Sequence, residues 1–262
     1  MLKSDLFVIL SILTIYVPVM NAQRVSLHSH NDYLRQYPFW EAYIAGCSSI
    51  EADVILRNDT LYVAHGSSEI KTDYTFENLY VKPLSVIYDK HCPWNDLPEE
   101  RLQFLVDIKS ESISTLRKLM EILSHYPQYF NPTVNPYAVR IVISGNRPDY
   151  HQIHSFPEYV YYDLRKPEEV SLYQKQSGLI SRNFADFSTC KGTAAPDNNE
   201  IQKLETFVKS CHALNMPVRF WNAPDNENAY GFLMKLGVDL INTDRPLQAA
   251  SFLSCKNENT VK

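Results

Sequence analysis

The stretch QFLVDIKSESISTLRKLMEILSHY, residues 103–126, reads as two elements in succession. QFLVDIK (103–109) is a short apolar run, as a strand buried on both faces of a parallel sheet requires. SISTLRKLMEILSHY (112–126) spaces its apolar residues three and four apart, the period of an amphipathic helix. A buried strand followed at once by such a helix is a βα unit.

The unit repeats along the chain. RVSLHS (24–29) is rich in β-formers, and PFWEAYIAG (38–46) has helical spacing and ends at Gly46. SSIEADVIL (48–56) reads as a strand, and LYVAH (61–65) returns after a turn at Arg57-Asn58-Asp59 as a hairpin-like extension. Residues 76–91 have a helical pattern broken by Pro83. AVRIVISG (138–145), EYVYYDL (158–164) and SGLISRN (177–183) are strands. NNEIQKLETFVKSCHAL (198–214) is a helix capped by asparagine, and MPVRFWN (216–222) a strand. DNENAYGFLMKLG (225–237) is a helix stopped by Gly237, followed by a strand, VDLINTD (238–244), and a closing helix, RPLQAASFL (245–253). About eight strands separated mostly by helices predict an α/β fold, a single (β/α)8 TIM barrel with right-handed crossovers. The alternative is an open doubly wound sheet, but no GxGxxG or GxxxxGK[ST] follows the first strand.

The chain has 262 residues, enough for one full core, and a formal charge of −5 with no basic run. Nothing in that balance favours a nucleic-acid partner. At the N-terminus, MLKSD precedes LFVILSILTIYVPV and MNAQ, an arrangement that predicts a signal peptide over residues 1–23. The apolar run is short against the about 20 residues of a membrane span. Residues 24–255 are then the barrel and 256–262 a tail. The expected localisation is secreted or periplasmic, with no stable membrane span after signal removal; an uncleaved membrane anchor is the alternative. The cysteines are five and scattered, so at most two disulfides can form.

In such a barrel, chemistry sits where strands end and βα loops begin. Residues i and i+2 of a strand share a face. By that parity His28 and His30 fall together at the end of the first strand, Glu51 and Asp53 on the second, and Asp107 and Lys109 on the third. His65 ends the extension, Arg219 and Trp221 end the seventh strand, and Asn242 and Asp244 the eighth. A carboxylate facing the inside of a barrel costs several kcal/mol, on the order of that for any buried ion, unless it is paired or bound to a cation. Glu51, Asp53 and Asp107 offer hard oxygen ligands, which suit one divalent cation, Mg²⁺ or Ca²⁺, better than zinc. A cation beside Lys109 and histidines would draw an anion, phosphate above all. Two histidines can then divide the acid and base work of cleaving a phosphodiester.

This ordered set resembles the PLC-like phosphodiesterase superfamily: glycerophosphodiester phosphodiesterases, phosphatidylinositol-specific phospholipases C and sphingomyelinase-D-type enzymes. The resemblance runs from residue 24 to about 253 and rests on HSHNDY, IEADV, YVAH, VDIK and RFWNAPDNENAYGFLMKLGVDLINTDRP. It is nearest to the branch that shares HSHNDY and includes the fungal "altered inheritance of mitochondria" proteins. The resemblance implies His30 and His65 as catalytic histidines with Lys109 beside them, and Glu51, Asp53 and Asp107 as metal ligands. His28, Asn31, Arg219, Trp221 and Asp244 would belong to the substrate pocket. Glycerophosphodiesterases carry His-Arg-Gly at the first strand end, where this chain has His30-Asn31-Asp32, so the phosphate-binding arginine is absent there. The expected substrate is a small phosphodiester or a phospholipid. Two other readings are a non-catalytic barrel that binds phosphate or sugar, and an amidohydrolase or PHP-type metallohydrolase using His28 and His30 as ligands. The sequence leaves the oligomeric state open.

Overall fold

A computed structural model describes residues 25–90 and 101–260. The expected signal segment, 1–23, and Cys92 lie outside the described residues. Eight strands run parallel: β1 (Ser26–Ser29), β2 (Ser49–Arg57), β4 (Gln103–Ile108), β5 (Arg140–Gly145), β6 (Val160–Leu164), β7 (Ser177–Asn183), β8 (Val218–Trp221) and β9 (Leu240–Thr243). Each pairs with the next, and β1 pairs with both β2 and β9, so the sheet closes on itself as a barrel. Antiparallel β3 (Thr60–Val63) folds back on the upper half of β2. Asn58 and Asp59 between them both have positive φ, the backbone that a tight hairpin of this hand demands.

The helices are α1 (Trp40–Ile44), α2 (Lys82–Lys90), α3 (Ser112–Ser124), α4 (Pro127–Phe130), α5 (Val170–Tyr173), α6 (Asn198–His212), α7 (Glu227–Leu236) and α8 (Pro246–Thr260). The main core lies between them and the outer face of the barrel, where Phe39, Phe76, Tyr80 and Phe104 stack edge to face. The barrel interior holds a small apolar plug, Leu105, Val142 and Leu179, with Tyr161 and Leu240 beside it. Two residues further along the same strands, every inward position is polar. Among the described residues, no helix is long and apolar enough to cross a membrane.

Three local expectations change. Pro83 does not break its helix: a wide π turn over Glu77–Val81 makes room for the proline ring, and α2 continues to Lys90. The cap of α6 is Asp197, whose carboxylate accepts from the Glu200 amide while the Glu200 side chain accepts from the Asp197 amide. The last helix runs on past residue 253, because nothing in SCKNENT breaks it.

Candidate active site at the mouth of the barrel

A cavity of about 640 Å³ opens at the C-terminal ends of the strands. His30, Asn31, Glu51, His65, Asp107, Lys109, Arg219, Trp221 and Asp244 all line it. Residues more than 200 apart in sequence thus meet at one opening, because the strand ends that carry them ring the same mouth. A second cavity, of about 670 Å³, lies outside the barrel against α7 and α8, and its lining of Phe232, Leu233, Met234 and Phe252 carries none of these groups.

The floor of the mouth is an ionic layer. Arg219 from β8 donates to Glu51 of β2 at 2.6 Å, to Ser181 of β7 at 3.0 Å and to Asn242 of β9 at 3.1 Å. His28 is fully buried in this layer: its Nε2 lies 2.8 Å from Glu51 Oε2 and its Nδ1 2.7 Å from Ser49 Oγ. His28, expected either among the pocket residues or packed below His30, sits below the cavity. Spacing gives the face that a strand residue shares, and depth along the barrel axis depends on its neighbours. Burial, and then the adjacent guanidinium, push the His28 imidazole down to about 4, so it is neutral near pH 7. Burial works against the Glu51 charge, but Arg219 and the hydrogen bond with His28 outweigh it and hold the carboxyl well below the usual range.

Above the floor stand the three expected carboxylates. Glu51, Asp53 and Asp107 each place one oxygen within 4.8 Å of the others. They come together because Asp53 and Asp107 are register partners on β2 and β4 and Glu51 is two residues before Asp53. Lys109 joins the group, its Nζ 3.1 Å from Asp107 and 3.3 Å from Asp53. With Arg219 spent on Glu51, one ammonium is left for the two carboxylates Asp53 and Asp107. Burial first, and then the neighbouring carboxylates, raise Asp107 to about 6 and also raise Asp53. Among the described residues, Asp53 Oδ1 and Asp107 Oδ1 are buried with no hydrogen-bond partner. Hard, crowded, partly unsatisfied oxygens are what a hard divalent cation relieves, so the donor set fits Mg²⁺ or Ca²⁺.

Each of the two histidines touches this cluster. His30 Nδ1 donates to Asp244 Oδ1 at 2.9 Å, which leaves Nε2 facing inward, 3.8 Å from Glu51 Oε1. Burial lowers the His30 pKa, but the bond to Asp244 and the charge of Glu51 outweigh that, and the net direction is up. Arg35 donates to the Asp244 carboxylate and to the carbonyls of Asp244 and His30, pinning the dyad to the loop after β1. His65 Nδ1 donates to Asp53 Oδ2 at 2.8 Å. Tyr33 donates to the same oxygen at 2.9 Å. Asn31 turns the chain at the cavity edge with φ of 45°. Its neighbour Asp32 points away into the protein, accepting from Ser29 Oγ at 2.8 Å and from the Phe39 amide at 2.6 Å.

Sequence reasoning missed Arg35, Tyr33, Ser144 and Arg165. Tyr33 and Arg35 sit in a loop, where strand parity says nothing. Ser144 and Arg165 were within reach of the rule: Arg165 is two residues after Asp163 and faces the cavity just past the end of β6.

A model of the AIM6-like phosphodiesterase domain matches residues 19–163, more than half of the chain. The chain belongs to this family. Curated members of similar sequence include the altered inheritance of mitochondria protein 6 homolog of Arthroderma benhamiae, 25% identical over 84% of this chain and 81% of the relative. The protein of that name from Saccharomyces cerevisiae is 27% identical over 87% of this chain and 70% of its own length. Among solved structures, a glycerophosphodiester phosphodiesterase from Parabacteroides distasonis superposes with a TM-score of 0.56 at 15% identity, covering 89% of this chain and 98% of that one. A phosphodiesterase from Oleispira antarctica in complex with sn-glycerol-3-phosphate gives 0.55 at 13% identity, over 88% and 96%. These establish the PLC-like TIM barrel for this AIM6-like domain. The family's curated names refer to the inheritance of mitochondria, and they overturn the expectation of a secreted or periplasmic protein. That expectation rested on a short apolar run behind one lysine, with Asp5 in the charged stretch and a large residue, Met20, near the cut, which is a weak basis for export.

Proposed function

We propose that this AIM6-like domain is a divalent-cation-dependent phosphodiesterase that works by paired-histidine acid–base catalysis. The observation that carries this reading is that His30, beside Glu51, and His65, bonded to Asp53, line one cavity with the Glu51–Asp53–Asp107 cluster. Glu51, Asp53 and Asp107 would hold the cation, which supplies Lewis-acid charge for a phosphate oxygen when bound.

The side chains then have separate tasks. One histidine takes the proton of the attacking hydroxyl or water, and the other returns a proton to the leaving oxygen. Each presents its Nε2 to the cavity because a carboxylate holds its Nδ1: Asp244 for His30, Asp53 for His65. Lys109 offsets charge that develops on the phosphorus oxygens. Asp244 fixes the tautomer and orientation of His30 and acts as a positioning residue. Trp221, 37% exposed at the rim, offers an aromatic face to whatever the phosphate carries.

The substrate class is a small phosphodiester or phospholipid head group. The Oleispira antarctica neighbour's complex with sn-glycerol-3-phosphate puts glycerophosphodiesters in the assay panel, beside lysophospholipids and inositol phospholipids. With Mg²⁺ or Ca²⁺ present, His30→Ala and His65→Ala are each expected to lower turnover by about 10²–10⁴-fold. Phosphorus NMR of the products separates water attack from internal attack to a cyclic phosphate. Full turnover in either variant would sink the assigned roles, and saturable binding with no turnover across the panel would favour a non-catalytic phosphate-binding barrel.

A further inference from the structure

The loop after β1 opens with Asn31 and Asp32, and its one arginine, Arg35, is engaged with Asp244 and the His30 carbonyl. We infer that Arg165, reaching in from the end of β6, is the guanidinium that binds a non-bridging oxygen of the substrate phosphate. The inference rests on the phosphodiesterase reading for the identity of the substrate, and on its own geometry for the residue.

The position is the first argument. Asp107 of β4 is the register partner of Ser144 of β5, and Arg165 Nη2 donates to Ser144 Oγ at 2.9 Å. The guanidinium therefore stands next to the carboxylate cluster, two strands around the barrel from Asp107. It also lies across the barrel mouth from β1, the strand that ends in His30.

Pre-organisation is the second argument. Arg165 Nη1 donates to Asp163 Oδ2 at 2.6 Å and to the Asp163 carbonyl at 3.2 Å. Asp163 is fully buried and also accepts from Ser144 Oγ at 2.8 Å. This frame keeps the arginine from collapsing onto Asp107 and sets the plane of its donors.

Availability is the third. Three cationic side chains of β4, β6 and β8 line the cavity. Arg219 is 5% exposed and spent on the floor, and Lys109 is 22% exposed and held by two carboxylates. Arg165 is 35% exposed, and among the described residues its Nε and second Nη2 hydrogen have no protein acceptor. Those two donors lie on one edge of the guanidinium, the fork that takes two oxygens of a phosphate.

The experiment is calorimetric titration of inorganic phosphate into the Mg²⁺-loaded full chain. It compares wild type, Arg165→Lys, Arg165→Met and the double variant Asp163→Asn with Arg165→Met. The double variant removes the buried charge that Arg165→Met alone leaves with only Arg219, at 3.7 Å, so a folded protein without the guanidinium is available. Arg165→Met and the double variant are expected to bind phosphate about tenfold more weakly or worse, with Arg165→Lys in between. Mg²⁺ affinity in the absence of phosphate is expected to stay at the wild-type value. Unchanged phosphate affinity in the folded variants overturns the inference, as does a wild type that does not bind phosphate. A parallel loss of Mg²⁺ affinity also overturns it, because Arg165 would then act through the carboxylates. The two readings separate cleanly. Arg165-dependent phosphate binding without turnover of any phosphodiester keeps this inference and removes the catalytic one. Turnover that is indifferent to Arg165 does the reverse.

Discussion

At the scale of single residues, depth along the barrel axis divides the polar side chains of the mouth. Glu51, Asp53 and Asp107 gather at the cavity, where a carboxylate on the inner face of a parallel strand needs a partner. His28 has the same parity as His30 but lies a layer lower, locked to Glu51 and Ser49. Asp32 shows the same division. It stands next to the pocket residue Asn31, yet it is a buried loop anchor, and burial raises it to about 6 against bonds from Phe39 and Ser29 that work to lower it. In the unfolded chain this carboxyl titrates at its ordinary 3.8. Between the two values folding takes up a proton, so this group's contribution to stability falls as pH rises from about 4 to about 6 and is level above that. Asp32→Asn has no such proton to take up. Its stability relative to wild type is expected to climb across that window by up to about 3 kcal/mol. Urea unfolding of both proteins at pH 4, 5, 6 and 7 reads this directly, and parallel curves would contradict it.

At the scale of elements, the period of the apolar pattern identified the strands and the longer helices, while the joints needed the structure. Pro83 marks a widened turn inside a continuous helix, since the π turn before it gives the ring room. Gly145, at the end of β5, has φ of 64°, and a Cβ there would run into Asp107 Oδ1 and stand 2.5 Å from the Ile108 carbonyl oxygen. The glycine is thus the backing against which Asp107 rests, one strand away from its own. Gly145→Ala is expected to destabilise the fold by about 1 kcal/mol or more, from the left-handed backbone and the overlap together. It is also expected to weaken Mg²⁺ or Ca²⁺ binding, because the displaced carboxylate is Asp107. Thermal unfolding with and without the cation separates the two effects. Unaltered cation affinity would show that Asp107 does not depend on this support.

At the scale of the whole molecule, the decisive event is closure. The family match ends at residue 163, but β1 is hydrogen-bonded to β9, and Arg219 of β8 neutralises Glu51 of β2. A fragment ending at residue 164 would leave its five parallel strands, with β3, as an open sheet and Glu51 uncompensated in its interior. It is expected to give no cooperative thermal transition by circular dichroism and no dispersed amide spectrum; a folded fragment would show that closure is dispensable. The α/β class, the succession of strands and helices along the chain, and which carboxylates face inward were all legible in the amino-acid sequence, because hydrophobic period and strand parity are local properties that each segment carries alone. How deep each polar residue sits, the floor that His28 and Arg219 form, and the orientation of His30 by Asp244 from more than 200 residues away came from the folded chain. It alone also placed Arg165 beside Asp107. Those facts depend on strand order and axial register around a closed ring, which arise when distant segments pack together and which no window of the sequence contains.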